Sequence, residues 1–407
     1  MRTPLRPLQR RAAGPTPRLL AAATVVAFAA WQQAATAAPP PWAAMPASLL
    51  PLRLPVAESP GWTLGAEASD FEASDATPAR ALSGDWKRYS PRRGRNVALQ
   101  SARLQLGAAR AGWEFAAVLR SDVLISGTRS AFDLVHDFKQ HLAPAEGSRF
   151  DLGTEARGAV WAGLRVAHSW ALWSSAQEQP RLLLTGAATL LSARRAEKID
   201  TAGSASWSAA AGYTLQASGL RLQSFRSFSG FGNAGATGAG YSVDVGLLWR
   251  PGAGSFVNLS AVDLLSSLRI GNVATQRLGA NSSTRSQNPD GSIDYQPLLS
   301  GRYSAETLSL KLAPKWSAIA GWAFAGERGP WRLGARWERV DGLDLPALWA
   351  ELPLGKGWQG QLDAETRFRV LGVGLRWRGA ALMLRSRSLG WGRSNAIGWQ
   401  AGLSLPL

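Results

Sequence analysis

The chain has 407 residues, with 45 Lys+Arg against 28 Asp+Glu for a net charge of +17, and it contains no cysteine. A disulfide framework, a thiolate metal site and a lipid anchor on cysteine are thereby excluded. The pI near 11.2 points toward nucleic acid only if Lys and Arg cluster on one face, whereas here most arginines stand singly along strand-like segments, so no nucleic-acid partner is expected.

The first 37 residues read as an export signal. Arg2, Arg6, Arg10, Arg11 and Arg18 make a basic start, Leu19 to Trp31 an apolar run, and Ala35-Thr36-Ala37 the A-x-A pattern of signal peptidase, with cleavage expected before Ala38. The run is too short to span a membrane comfortably as a helix. Arg10-Arg11 lacks the apolar residues of a twin-arginine signal and reads as ordinary basic charge. The rest of the chain keeps 40 basic residues against 28 acidic ones. Residues 38–60 are rich in proline, which cannot pair inside a sheet, and are expected to form a periplasmic linker before a first strand near Gly61, or a short plug entering a lumen.

Beyond the signal, no stretch of 18 or more residues is continuously apolar, which leaves no spanning helix. A closed barrel is the other architecture that satisfies every backbone amide in lipid. Its signature, segments of about ten residues alternating apolar and polar, recurs along the chain. Trp113, Phe115, Ala117 and Leu119 oppose Glu114 and Arg120. Tyr241, Val243, Val245, Leu247 and Trp249 oppose Ser242, Asp244, Gly246 and Arg250. The same period of two runs through Leu308 to Leu312, Trp331 to Glu338 and Leu371 to Trp377. The 19 tryptophans gather near segment ends, where membrane barrels carry aromatic girdles.

At the C-terminus Ile397, Trp399, Ala401, Leu403, Leu405 and Leu407 alternate to the last residue. This resembles the terminal strand of bacterial outer-membrane β-barrels, a porin-like class, although Leu407 stands where that class prefers a final Phe. The resemblance implies recognition by the barrel-assembly machinery and closure of the last strand onto the first.

Tight turns are expected at Ala109-Arg110-Ala111-Gly112, Arg157-Gly158, Ser218-Gly219, Pro251 to Gly254 and Arg378-Gly379. Long polar connections are expected at about Ser69 to Arg95, Ser126 to Ser148, Phe228 to Ala239 and Arg269 to Ser300. The alternation of short and long connections fails near Arg194 to Gly219. The expected fold is an all-β transmembrane antiparallel barrel over 61–407, of about 14 to 18 strands with sixteen favoured. Within the second long connection Phe132, Val135, Phe138 and Leu142 fall near helical spacing, as a short amphipathic helix over the barrel mouth or a local apolar cluster would place them.

No cofactor, metal or enzymatic site is expected. Gly230-x-Gly232-x-x-Gly235 lacks the strand, helix and acidic residue of a dinucleotide fingerprint. Asn288-Pro289-Asp290-Gly291 with Asp294 lacks the first and last ligands of a calcium loop. His136 and His141 are five apart, not four, and His168 and Ser169 are strand neighbours that point to opposite faces. The informative set is the inward one. By alternation, Arg103, Arg120, Arg165, Arg221, Arg250, Arg332, Arg336, Arg376, Arg385 and Arg387 face the lumen with Glu114, Asp122, Asp244, Glu338, Asp363 and Glu365. Such an arginine-rich lumen favours anions and suggests a channel or transporter for small solutes. Paired charges filling a closed scaffold, an adhesin or a secretion-associated barrel would show the same residues. An outer-membrane lipid hydrolase is a further alternative. Lys87, Arg88, Arg92, Arg93 and Arg95 form a basic loop suited to lipopolysaccharide phosphates, or simply to solvent.

Overall fold

The computed structural model describes residues 61–79, 86–174, 180–210, 212–224, 237–252, 254–282, 285–287, 293–295, 299–327, 329–390 and 393–407. The expected signal with its Ala37 site, the stretch 38–60, the Gly230 motif and the Asn288 turn lie outside them.

Strands β1 (Thr63–Ser74), β2 (Arg95–Arg110) and β3 (Trp113–Thr128) precede helix α1 (Arg129–Gln140), followed by β4 (Arg149–Asp151), β5 (Thr154–Ser174) and β6 (Pro180–Ser208). Next come β7 (Gly212–Gln223), β8 (Gly238–Gly252), β9 (Ser255–Asn281), β10 (Arg285–Gln287), β11 (Ile293–Tyr295) and β12 (Leu299–Leu310). The last are β13 (Lys315–Phe324), β14 (Trp331–Val340), β15 (Leu343–Gly355), β16 (Trp358–Glu365), β17 (Val370–Trp377), β18 (Ala380–Ser386) and β19 (Ala396–Pro406). No described helix is long and apolar enough to cross a membrane.

Fourteen strands form a closed antiparallel wall, in the order β1, β2, β3, β5, β6, β8, β9 and then β13 to β19. The C-terminal strand closes it, β19 pairing with β1 from Thr63↔Pro406 to Ala73↔Ala396. The favoured count of sixteen is thus corrected to fourteen, for a physical reason. β6 and β9 run on past the rim, and above the start of β8 the strand β7 takes its place between them. Along the other edge of β9, β13 pairs with its lower part and β12 with its upper part. Strands that look like further staves therefore prolong the wall on one side.

The expected turns Arg157-Gly158 and Ser218-Gly219 fall inside β5 and β7, and much of the expected Arg269 to Ser300 loop is the upper part of β9. Elsewhere tight turns close as anticipated. Ala111-Gly112 has both φ positive (47° and 83°), the geometry that matches the twist of paired strands. The expected helix exists as α1, capped by the Thr128 hydroxyl, which accepts from the Ala131 amide.

Side chains sort by parity along each strand. Outside, Leu164, Leu190 and Leu371 are 68%, 71% and 68% exposed within a belt of apolar residues. At the rim where β1 begins and β19 ends, Trp113, Trp170, Trp173, Trp249, Trp322 and Trp358 are exposed as well. There Arg378 lies over the Trp377 ring, 4.6 Å from its centroid, keeping its charge at the edge of the belt. Toward the opposite rim the interior is apolar, where Phe71, Leu99, Val340, Leu345, Phe368 and Val370 pack together from both sides. A second cluster joins Val118 and Trp161 to Leu268, Ile270 and Leu308.

Candidate functional site

Between the rims the inner face is ionic, and two side-chain networks dominate it. The first is built on β2, β3, β5, β8, β9 and β13. Arg165 is 2% exposed and donates to Glu114 at 2.8 Å, where the Gln105 amide also donates at 2.6 Å. Arg103 donates to the Gln105 carbonyl oxygen. Asp244 stands 3.6 Å from Arg165 and accepts from the Asp263 amide at 2.9 Å. Arg120 bridges Asp122 and Asp263, the latter at 2.8 Å, with Trp161 beneath its guanidinium, 5.4 Å to the ring centroid. Lys315 reaches Asp122 at 2.8 Å.

Local backbone geometry makes this possible. Between Val243↔Leu265 and Val245↔Ala261 the β8–β9 register shifts, and Asp263 takes a left-handed φ of 58°. A bulge of this kind re-aims a side chain, and here it turns the Asp263 carboxylate inward, where Ser242 also donates to it at 2.7 Å.

The second network lies on β14 to β18. Arg336, 2% exposed, forms a fork with Asp363 at 2.9 and 3.2 Å and also meets Glu338 at 3.3 Å. Asp363 takes Arg385 as well, at 2.9 Å. Glu351 receives Arg332 at 3.1 Å, Arg376 at 3.4 Å and the Gln361 amide at 2.8 Å. Glu365 caps the following loop by accepting from the Arg367 and Phe368 amides.

The structure thus brings Arg103, Arg120, Arg165, Arg332, Arg336, Arg376 and Arg385 onto the inner wall with Glu114, Asp122, Asp244, Glu338, Asp363 and Glu365. Arg250 sits at the tryptophan-rich end of β8, half-buried. Two arginines belong elsewhere. Arg221 is on β7, above the closed wall, paired with Glu197 at 3.3 Å. Arg387 follows the end of β18 and is exposed at the rim. Alternation missed Glu67, Asp263, Lys315 and Glu351, all buried. With these included, carboxylates and cations on the described wall are close to equal in number, so the expected arginine excess is not a property of the whole wall.

Lys87, Arg88, Arg92 and Arg93 are exposed on the first connection, and Arg95 is exposed at the start of β2. That connection packs on α1, where Trp86 stacks on Phe132 and Tyr89 on His136, and the Tyr89 hydroxyl donates to Asp133 at 2.6 Å. Desolvation, and then the bond to Asp133, push the Tyr89 phenol well above its ordinary value. Ser169 and Thr185 share a hydroxyl contact at 2.7 Å, while the His168 ring lies against Trp113. No group of three potential metal ligands occurs among the described residues.

A closed antiparallel barrel, greasy outside and ionic within, is the architecture that lipid imposes on a spanning sheet, and the chain is a closed β-barrel of this membrane-spanning class. No protein-family model matches the chain, and no curated protein matches it in sequence. Among solved structures it is similar to a mutant of the monoaromatic hydrocarbon channel TodX, at 9% identity and TM-score 0.42, over 85% of this chain and 90% of that one. A Pseudomonas aeruginosa FadL homologue matches at 9% identity and TM-score 0.35, over 84% of this chain and 89% of that one. The translocator domain of the autotransporter NalP from Neisseria meningitidis matches at 10% identity and TM-score 0.31, over 87% and 91%. The class rests on the chain's own geometry.

Proposed function

We propose that this barrel is an outer-membrane channel for small solutes. The carrying observation is its width together with its lining. About eight strands already enclose a space that wall side chains fill, and about 16 to 18 leave an aqueous channel. Fourteen strands with ionisable groups turned inward lie toward the second case. An anion preference fits this reading if it resides in cations outside the paired networks, such as Arg387 at the rim, because the wall itself is balanced. The stretch 38–60 is proposed as a linker or plug before β1, and β19 as the strand that the assembly machinery engages.

The test is reconstitution of the purified chain in planar bilayers, with reversal potentials under a potassium chloride gradient. Stepwise conductance with anion-favouring reversal is expected. Absence of any conductance would overturn the reading in favour of a closed scaffold or adhesin barrel. That second reading is favoured by one observation, the pairing of Arg165 and Arg336 on an interior whose upper part is apolar. Neutralising Lys87, Arg88, Arg92, Arg93 and Arg95 tests the proposed lipopolysaccharide contact. Cells should become sensitive to chelators, and unchanged sensitivity counts against it.

A further inference from the structure

At the rim opposite the chain ends of the barrel, above Phe368, a cavity of about 400 Å³ opens between the end of β1, the first connection and the loops flanking β17 and β18. Among the described residues four guanidinium side chains line it, those of Arg92, Arg367, Arg369 and Arg387, against a single carboxylate, Asp75. That carboxylate is already committed. Buried at 6% exposure, Asp75 accepts from the Val97 amide at 3.0 Å, holds Arg367 in a fork at 2.6 and 2.7 Å, and stands 3.5 Å from Arg92. Arg367 is thereby fixed in orientation.

The floor is equally constrained. Glu365 accepts from the amides of Arg367 and Phe368, and the Thr366 amide donates to the Pro346 carbonyl at 3.0 Å. Arg369 and Arg387 stand at the opening, exposed, and form no ion pair with a described carboxylate. Guanidinium groups recognise tetrahedral oxyanions through paired, charge-assisted hydrogen bonds. A space of this volume suits a molecule of drug-like size better than a bare ion.

We propose that this cavity binds a phosphorylated sugar, its phosphate between Arg369 and Arg387 and its hydroxyls toward the Asp75 and Thr366 side. The chemistry is common to soluble sugar phosphates and to the phosphorylated glucosamine headgroup of lipid A. Binding requires no passage through the barrel, so a non-conducting protein leaves the proposal standing.

The experiment is calorimetric titration of the full chain in detergent micelles with glucose 1-phosphate, with lipid A in mixed micelles, and with glucose. Both phosphorylated probes should bind and glucose should not. Tighter lipid A binding assigns the lipid source, and tighter glucose 1-phosphate binding the soluble one. Arg369→Gln with Arg387→Gln should weaken binding at least tenfold while leaving heat-modifiable gel mobility unchanged, since both side chains are exposed and form no ion pair with a described residue. Equal heats for glucose and glucose 1-phosphate, or undiminished affinity in the double variant, would overturn the proposal.

Discussion

Arg120 of β3 forms an ion pair with Asp263 of β9 at 2.8 Å, although β5, β6 and β8 stand between those strands in the wall. Four strand spacings amount to about 19 Å along the sheet, so the pair crosses the interior instead of following the wall. Lys315 and Asp122 make a second such link at 2.8 Å. The first network therefore ties together parts of the wall that stand four and five strands apart.

From this follows the first prediction. Asp263→Ala leaves Arg120 with Asp122 alone, and breaking one partner of a buried pair costs about 3–5 kcal/mol. The remaining carboxylate places the loss toward the lower end of that range. The temperature at which the folded band disappears in gel electrophoresis should fall. Arg120→Ala, which removes the crossing side chain itself, should raise single-channel conductance if solutes pass on this side.

Asp363 serves two arginines, Arg336 at 2.9 Å and Arg385 at 2.9 Å. Replacing it by alanine strips both, whereas Arg385→Ala leaves the Arg336 fork intact. Asp363→Ala should therefore destabilise more than Arg385→Ala, and the double variant should cost less than the sum of the two, by about 0.5–3 kcal/mol. Additive losses in unfolding by urea from lipid vesicles would count against a shared carboxylate.

What the sequence made legible follows its alternation. From Trp113 to Arg120 and from Tyr241 to Arg250 the outward face is apolar and the inward one carries the charged residues, and these residues face as their parity requires. Glu351 was hidden because the inward residues before it, Leu345, Ala347 and Trp349, are as apolar as the outward Leu348 and Leu352, so β15 shows no period. Asp263 was hidden by the bulge, which turns this one odd-numbered side chain inward although Leu259 and Leu265 on either side of it face outward. The strand count was hidden by β6 and β9, which run on past the rim as single strands, β9 even through Gly271 and Asn272, where its register with β12 shifts. Arg221 was misplaced for that same reason.

Leu164 on β5 is 68% exposed, facing outward within the belt. Leu164→Arg should cost about 2–4 kcal/mol, the range for arginine at the bilayer midplane. The check is refolding into phosphatidylcholine vesicles across a urea series. A loss below ~1 kcal/mol, the range near the interfaces, would mean that this position lies outside the hydrocarbon.

Tyr89 lies in the connection packed on α1, and its phenol is held above its ordinary value by burial and by Asp133. A group whose folded-state value is raised contributes stability that is complete below its unfolded value, about 10 for tyrosine, and that is lost as pH rises through the folded one. Alkaline titration followed by phenolate absorbance should show one tyrosine ionising only as the loop detaches. Tyr89→Phe should remove that late step and weaken protection of the Trp86 segment from proteases at neutral pH.

Trp349 on β15 lies flat across two glycines, Gly334 on β14 and Gly321 on β13, which pair with each other across the strands. A Cβ at Gly334 would come within 2.4 Å of the indole and 2.1 Å of the Ala320 carbonyl oxygen, and one at Gly321 within 2.6 Å of the indole. The backbone oxygen cannot yield as a flexible side chain can, so Gly334→Val must displace strand or ring. Gly334→Val should therefore be destabilising by more than the roughly 1–3 kcal/mol of ordinary overpacking. Trp349→Ala opens the groove but leaves Gly334→Val facing the Ala320 oxygen, so the pair of changes should recover only part of the loss. Thermal melting of the folded band in detergent measures all three, and full recovery in the double variant would show that the indole alone, and not the neighbouring strand, requires glycine at this position.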